Sequence, residues 1–122
     1  MAVLVDTSVW VEHFRVGNAE LSSLLKMDEV LVHPFVIAEL ACGTPPKREQ
    51  TLKDLSLLRH ATQANVSEVL DFIENRKLYG RGCGYVDMTL LASVLLTPAS
   101  QLWTYDKRLN QLADEFSATF RL

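Results

Sequence analysis

The chain opens on Ala2-Val3-Leu4-Val5, an unbroken apolar run rich in Val that stops at Asp6. A strand with no polar alternation has to be covered on both faces, which is the setting of a parallel sheet rather than of a sheet with one wet face. The rest of the chain keeps the same rhythm. Short apolar runs at 29–33, 62–66, 102–105 and 117–122 alternate with stretches of helical periodicity. That alternation predicts an α/β fold of three layers, a mostly parallel central sheet with helices on both faces. At 122 residues the chain has material for one core, and a single domain over 1–122 is expected.

The intervening segments carry helix signals. Asp6-Thr7-Ser8 can cap a helix over 9–14, and Asn18 can cap a second with Leu21, Leu24 and Leu25 on one face. Pro34 suits the first turn and Gly43 the C′ position of a nearly all-apolar helix over 34–42. After Pro45-Pro46, residues 47–60 read as an amphipathic helix with Leu52, Leu55 and Leu58 inward. Ser67 is expected to cap a helix to about Leu78, with Val69, Leu70 and Ile73 inward. Gly80, Gly82 and Gly84 mark a loop. The segment Tyr85–Leu96 is apolar almost all round, hence a buried helix, and Lys107–Glu115 is the last helix.

Several classes are excluded. The longest apolar stretch, 90–96, is broken by Ser93 and is far below the roughly 20 residues that cross a bilayer. The first residues lack a basic region and meet a carboxylate after four apolar positions, which does not read as a signal peptide. Cys42 and Cys83 have no metal-ligand spacing and are expected as buried free thiols of a cytoplasmic protein. The net charge of −3 argues against a nucleic-acid partner unless some acids are sequestered. With four of the 15 acidic residues gathered in one pocket, 11 remain against 12 Lys and Arg, and the outer surface is close to neutral.

Four carboxylates fall outside the core pattern. Asp6 and Asp106 each directly follow an expected strand, and so project at the same end of a parallel sheet, where open α/β folds bind ligands. Glu39 is the one charge on the apolar helix Pro34 begins, and Asp87 stands alone in the first turn of another. Singly, each has a plainer reading: helix caps for Asp6 and Asp106, a helix-dipole partner for Asp87, a solvent-facing stripe for Glu39. Jointly, with hydroxyls at Thr7, Ser8 and Thr104 beside two of them, they fit one pocket. Two carboxylates about 4 Å apart repel by roughly 4 kcal/mol at an effective dielectric near 20, so four require a compensating cation. An all-oxygen set selects a hard ion, Mg²⁺ or Mn²⁺, and phosphodiester hydrolysis is the natural reaction class.

Val5-Asp6-Thr7-Ser8-Val9-Trp10, Ile37-Ala38-Glu39-Leu40, Tyr85-Val86-Asp87 leading into Leu90-Leu91-Ala92-Ser93, and Leu102-Trp103-Thr104-Tyr105-Asp106-Lys107-Arg108-Leu109 together resemble a PIN domain. More narrowly the ordered set resembles a VapC toxin of a type II toxin–antitoxin pair, over essentially the whole chain. The resemblance implies a Mg²⁺- or Mn²⁺-dependent endoribonuclease, homodimeric, inhibited by a cognate VapB antitoxin. It places the acidic positions at Asp6, Glu39, Asp87 and Asp106. Ser8 and Thr104 would orient a carboxylate or a metal-bound water. Gly80-Arg81-Gly82-Cys83-Gly84 is richer in glycine than the family pattern.

Other residues carry weaker readings. Lys47, Arg48, Arg81 and Lys107 are candidates for RNA phosphates, against a solvated face as the plain alternative. His13, His33 and His60 share no evident acid–base site and read as helix-surface or turn residues, and Trp10 and Trp103 as core. Two rival functions remain. One is a catalytically silent PIN-like module that binds RNA or protein. The other is a phosphoacceptor receiver domain, which would want an acidic pair after the first strand where Thr7-Ser8 stand.

Overall fold

A computed structural model describes residues 1–121 of the chain. Four parallel strands form the sheet: β1 (Ala2–Val5), β2 (Val30–Val32), β3 (Arg59–His60) and β4 (Ser100–Trp103), in the order β3-β2-β1-β4. Every residue of β1 and β2 is buried, so the Val-rich runs are covered on both faces as their composition requires. The helices are α1 (Thr7–Val16), α2 (Ala19–Lys26), α3 (Pro34–Ala41), α4 (Arg48–Ser56), α5 (Val66–Asn75), α6 (Tyr85–Leu96) and α7 (Lys107–Glu115). The architecture is the three-layer α/β arrangement expected. Among the described residues no helix is long and apolar enough to cross a membrane.

Sequential strands march outward from β1 through β2 to β3, and the chain then returns to place β4 on the other side of β1. The strand order therefore reverses between β1 and β4, and the crevice beyond their carboxyl ends is where such sheets bind ligands. α6 fills the core beneath, with Leu90 and Leu91 fully buried, although Tyr85, Leu95 and Leu96 at its ends are exposed. Trp10 and Trp103 are core residues, as expected.

Several boundaries depart from the sequence reading. The helix expected over 47–60 stops at Ser56, and Arg59–His60 pairs in register with Leu31 and Val32 as β3. Both residues are exposed and polar, so only backbone pairing makes this edge strand. Residues 62–65 are not a strand. Asn65, not Ser67, caps α5, its side chain accepting from the Glu68 N–H at 2.8 Å while Glu68 accepts from the Asn65 N–H at 2.9 Å. Leu70 on that helix is exposed. The expected strand 117–122 reduces to one parallel bridge, Leu102 to Thr119, and residue 122 lies outside the described residues. The thiols are free, but Cys42 is exposed and Cys83 only partly buried. His33 is not a surface histidine: it is 1% exposed, and its Nδ1 accepts from the Phe35 N–H at 3.0 Å, capping α3.

Candidate active site

Asp6 leaves β1 at the strand-order reversal and caps α1. It is buried, its Oδ1 accepting from the Thr7 N–H at 2.8 Å and its Oδ2 from the Thr104 hydroxyl at 2.7 Å and the Ser8 hydroxyl at 3.2 Å. A strand end meeting a helix start makes the residue at the junction both the cap and the group facing the crevice. Thr104 just past β4 accepts in turn from the Asp106 N–H at 3.0 Å, and Ser8 from the Tyr105 N–H at 3.1 Å. The hydroxyls expected to orient carboxylates thus tie the ends of the two central strands together. Asp106, exposed, caps α7 through Oδ1, which accepts from the N–H groups of Arg108 and Leu109.

Glu39 projects from α3, exposed, and its Oε1 accepts from the Thr7 hydroxyl at 2.7 Å. Asp87, half-buried in the first turn of α6, takes only a long 3.4 Å bond from the Gly84 N–H. Its carboxyl is held above the usual carboxylate range. Burial is the largest cause, and the fields of Asp6, Asp106 and Glu39 push the same way against the Gly84 bond. The one half-buried acid therefore feels the other three, which come from β1, α3 and the start of α7.

The four acids form a shared field rather than a closed cage: among the described residues no three acidic, His or Cys side chains sit close enough to hold one ion as they stand. The donor set nonetheless fits a hard divalent cation. It is all oxygen, and among the described residues Asp87 Oδ1, Asp106 Oδ2 and Glu39 Oε2 receive no protein hydrogen bond. A cavity of about 320 Å³ adjoins the cluster at Thr7 and Glu39 and is walled mainly by Val11, Phe14, Pro45 and Pro46.

The basic candidates are scattered. Arg48 donates to the carbonyls of Ala41 and Gly43, closing the end of α3, and Arg81 is ion-paired with Glu115. Lys47 is exposed in a left-handed conformation before α4, and Lys107 is exposed beside Asp106. Two features around the site escaped the sequence reading. Tyr105 donates its hydroxyl to Glu12 at 2.8 Å, and Asn18 donates to both, a lock between α1 and the residues after β4. Arg108 lies across Gly82. Partners 87 and 93 residues apart leave no local trace in a sequence.

Comparison with known proteins places the fold in a family. The family model for the PIN domain matches residues 3–115. The chain is 46% identical over 113 residues to the protein named Ribonuclease VapC32 in each of two Mycobacterium tuberculosis strains, CDC 1551 / Oshkosh and ATCC 25618 / H37Rv. The matched stretch covers 93% of this chain and 91% of each relative. With four acids around the strand-order reversal of a parallel sheet, and matches that run nearly end to end, the chain belongs to the PIN-domain family, in its VapC branch.

Proposed function

We propose that the protein is an endoribonuclease that requires Mg²⁺ or Mn²⁺ and acts as the toxin of a VapB–VapC pair. The reading adds a cognate VapB-like antitoxin, a homodimeric state and a cytoplasmic setting, all carried over from the family resemblance. The ribonuclease activity rests on the relatives' name. The observation that carries the metal-dependent reading is Asp87, pushed up by burial first and then by Asp6, Asp106 and Glu39 against the Gly84 bond. Such a group of acids favours either a proton or a cation.

In this reading Asp6, Asp87 and Asp106 hold the ion, with Glu39 as a ligand or as the group that orients the attacking water. The bound ion would supply a more acidic water and neutralise charge developing on the phosphoryl group. Asp6 is fixed in direction by Thr104, Ser8 and the Thr7 N–H. Glu39 is steadied through Oε1 by Thr7, leaving Oε2 to accept a proton from water.

The test is cleavage of a panel of structured RNAs by the antitoxin-free chain in Mg²⁺, Mn²⁺ or EDTA, beside Asp6→Asn. Discrete internal cuts are expected with metal, and their loss by at least about a hundredfold in EDTA and in the variant, as for removal of a group stabilising the transition state. Wild-type turnover in Asp6→Asn would overturn the metal-site assignment. No cutting of any RNA together with no metal binding would leave the catalytically silent module.

A further inference from the structure

The glycine-dense segment 80–84 and the arginine that crosses it have no part in the chemistry above. Gly82 has a φ of +82°, and a Cβ built there would lie 2.7 Å from Arg108 Cδ, 2.8 Å from Nη1 and 3.1 Å from Cζ. Any larger residue at 82 would therefore displace the Arg108 side chain from its resting place. The segment is fastened on both sides of that point, by the Arg81–Glu115 ion pair and by the Gly84 N–H on Asp87.

Arg108 is the second residue of α7, and its N–H caps onto Asp106. Among the described residues its guanidinium makes no ion pair. It is nevertheless in the neighbourhood of the site. The Cys83 thiol next to Gly82 is pushed up by burial first and then by Asp87 and Asp106, while Arg108 and Arg81 pull it down. The Arg108 side chain rests on Gly82, two residues before the Gly84 N–H that reaches Asp87, and its own backbone N–H bonds Asp106, while its guanidinium pairs with neither acid and keeps its fork of donors for another anion. A cluster of carboxylates repels an RNA backbone, and a planar guanidinium is the side chain that best pairs with phosphate oxygens.

We propose that Arg108, seated on Gly82, binds a phosphodiester of the RNA strand beside the carboxylate cluster, and that segment 80–84 is the seat of this phosphate clamp. The identity of the ligand rests on the ribonuclease reading. The contact is with backbone phosphate, so it strengthens binding to all sequences alike and sets no base preference.

The test is binding of a fluorescein-labelled single-stranded RNA oligonucleotide in EDTA, followed by anisotropy over a range of NaCl concentrations. Arg108→Gln is expected to weaken binding about tenfold at low salt and to reduce the slope of log K against log salt by about 0.7, one phosphate contact on a single strand. Gly82→Ala keeps every charge and should weaken binding as well, because it moves the guanidinium. Lys26→Gln removes a charge from α2 before β2, at the opposite end of the sheet, and should leave the slope unchanged. Arg108→Lys keeps the charge without the fork and guards against a folding defect in the glycine variant. It should fall between wild type and Arg108→Gln.

A wild-type slope in Arg108→Gln, or an equal loss from Lys26→Gln, overturns the clamp while metal-dependent cutting by the wild type leaves the ribonuclease reading intact. An Arg108-dependent slope in a protein that never cuts RNA supports the clamp and removes the nuclease. Absence of RNA binding by the wild type overturns both.

Discussion

Asp87 differs from its three acidic neighbours in having part of its side chain buried with one long hydrogen bond to offset the cost. A carboxyl whose folded pKa lies above its unfolded value binds its proton more tightly when folded. Stability is therefore lost as pH rises through that interval, and at pH 7 without metal the ionised group is a net cost. Asp87→Asn removes the charge and keeps an acceptor for the Gly84 N–H. It is expected to melt a few °C above the wild type in EDTA at pH 7, a small gain because water screens a half-exposed group. A melting temperature below the wild type would refute this account of Asp87. The acid itself was legible in the sequence as a lone charge opening an apolar helix. A pocket shared with Asp6, Asp106 and Glu39 was expected from the four acids taken jointly, whereas the burial that is the largest cause of its raised pKa was not, since burial depends on what packs around the side chain.

Helix α3 carries Glu39, and its first turn hangs on a buried histidine. His33 Nδ1 accepts from the Phe35 N–H, and among the described residues its buried Nε2 has no partner. Burial and the nearby His60 both lower its pKa from 6.5. The unfolded chain thus takes up the proton first, and stability falls as pH drops below about 6.5, by no more than about 1.4 kcal/mol per pH unit. His33→Asn keeps a capping oxygen and should flatten that dependence, measured by urea unfolding at pH 7.5 and 5.5. Equal pH dependence in variant and wild type would place the acid sensitivity elsewhere. Pro34 signalled the start of α3, but nothing local distinguished a capping histidine from an exposed one. The same limit hid β3: Arg59 and His60 have no strand signature, and backbone pairing with the edge of β2 selects them.

Across the whole molecule the candidate ligands come from β1, α3, α6 and the turn after β4, so an ion shared among them would join four elements that otherwise repel. Mass action then predicts stabilisation of the folded chain by about 2.7 kcal/mol at a hundredfold excess of Mg²⁺ over its dissociation constant. Thermal melts should rise with Mg²⁺ in the wild type and stay level in Asp6→Asn, and level melts in both would remove the shared-ion reading. The sequence alone determined the architecture, because strands apolar on both faces alternating with amphipathic helices have few other ways to bury themselves. It also marked the four acids, because a charge in an apolar run is conspicuous on cost alone. Which strands neighbour each other was decided only in three dimensions. The return of β4 to the flank of β1 brings Thr104 against Asp6 across 98 residues and lays Arg108 on Gly82. Those contacts depend on strand order and on the space a missing Cβ leaves, and neither is written in any local pattern.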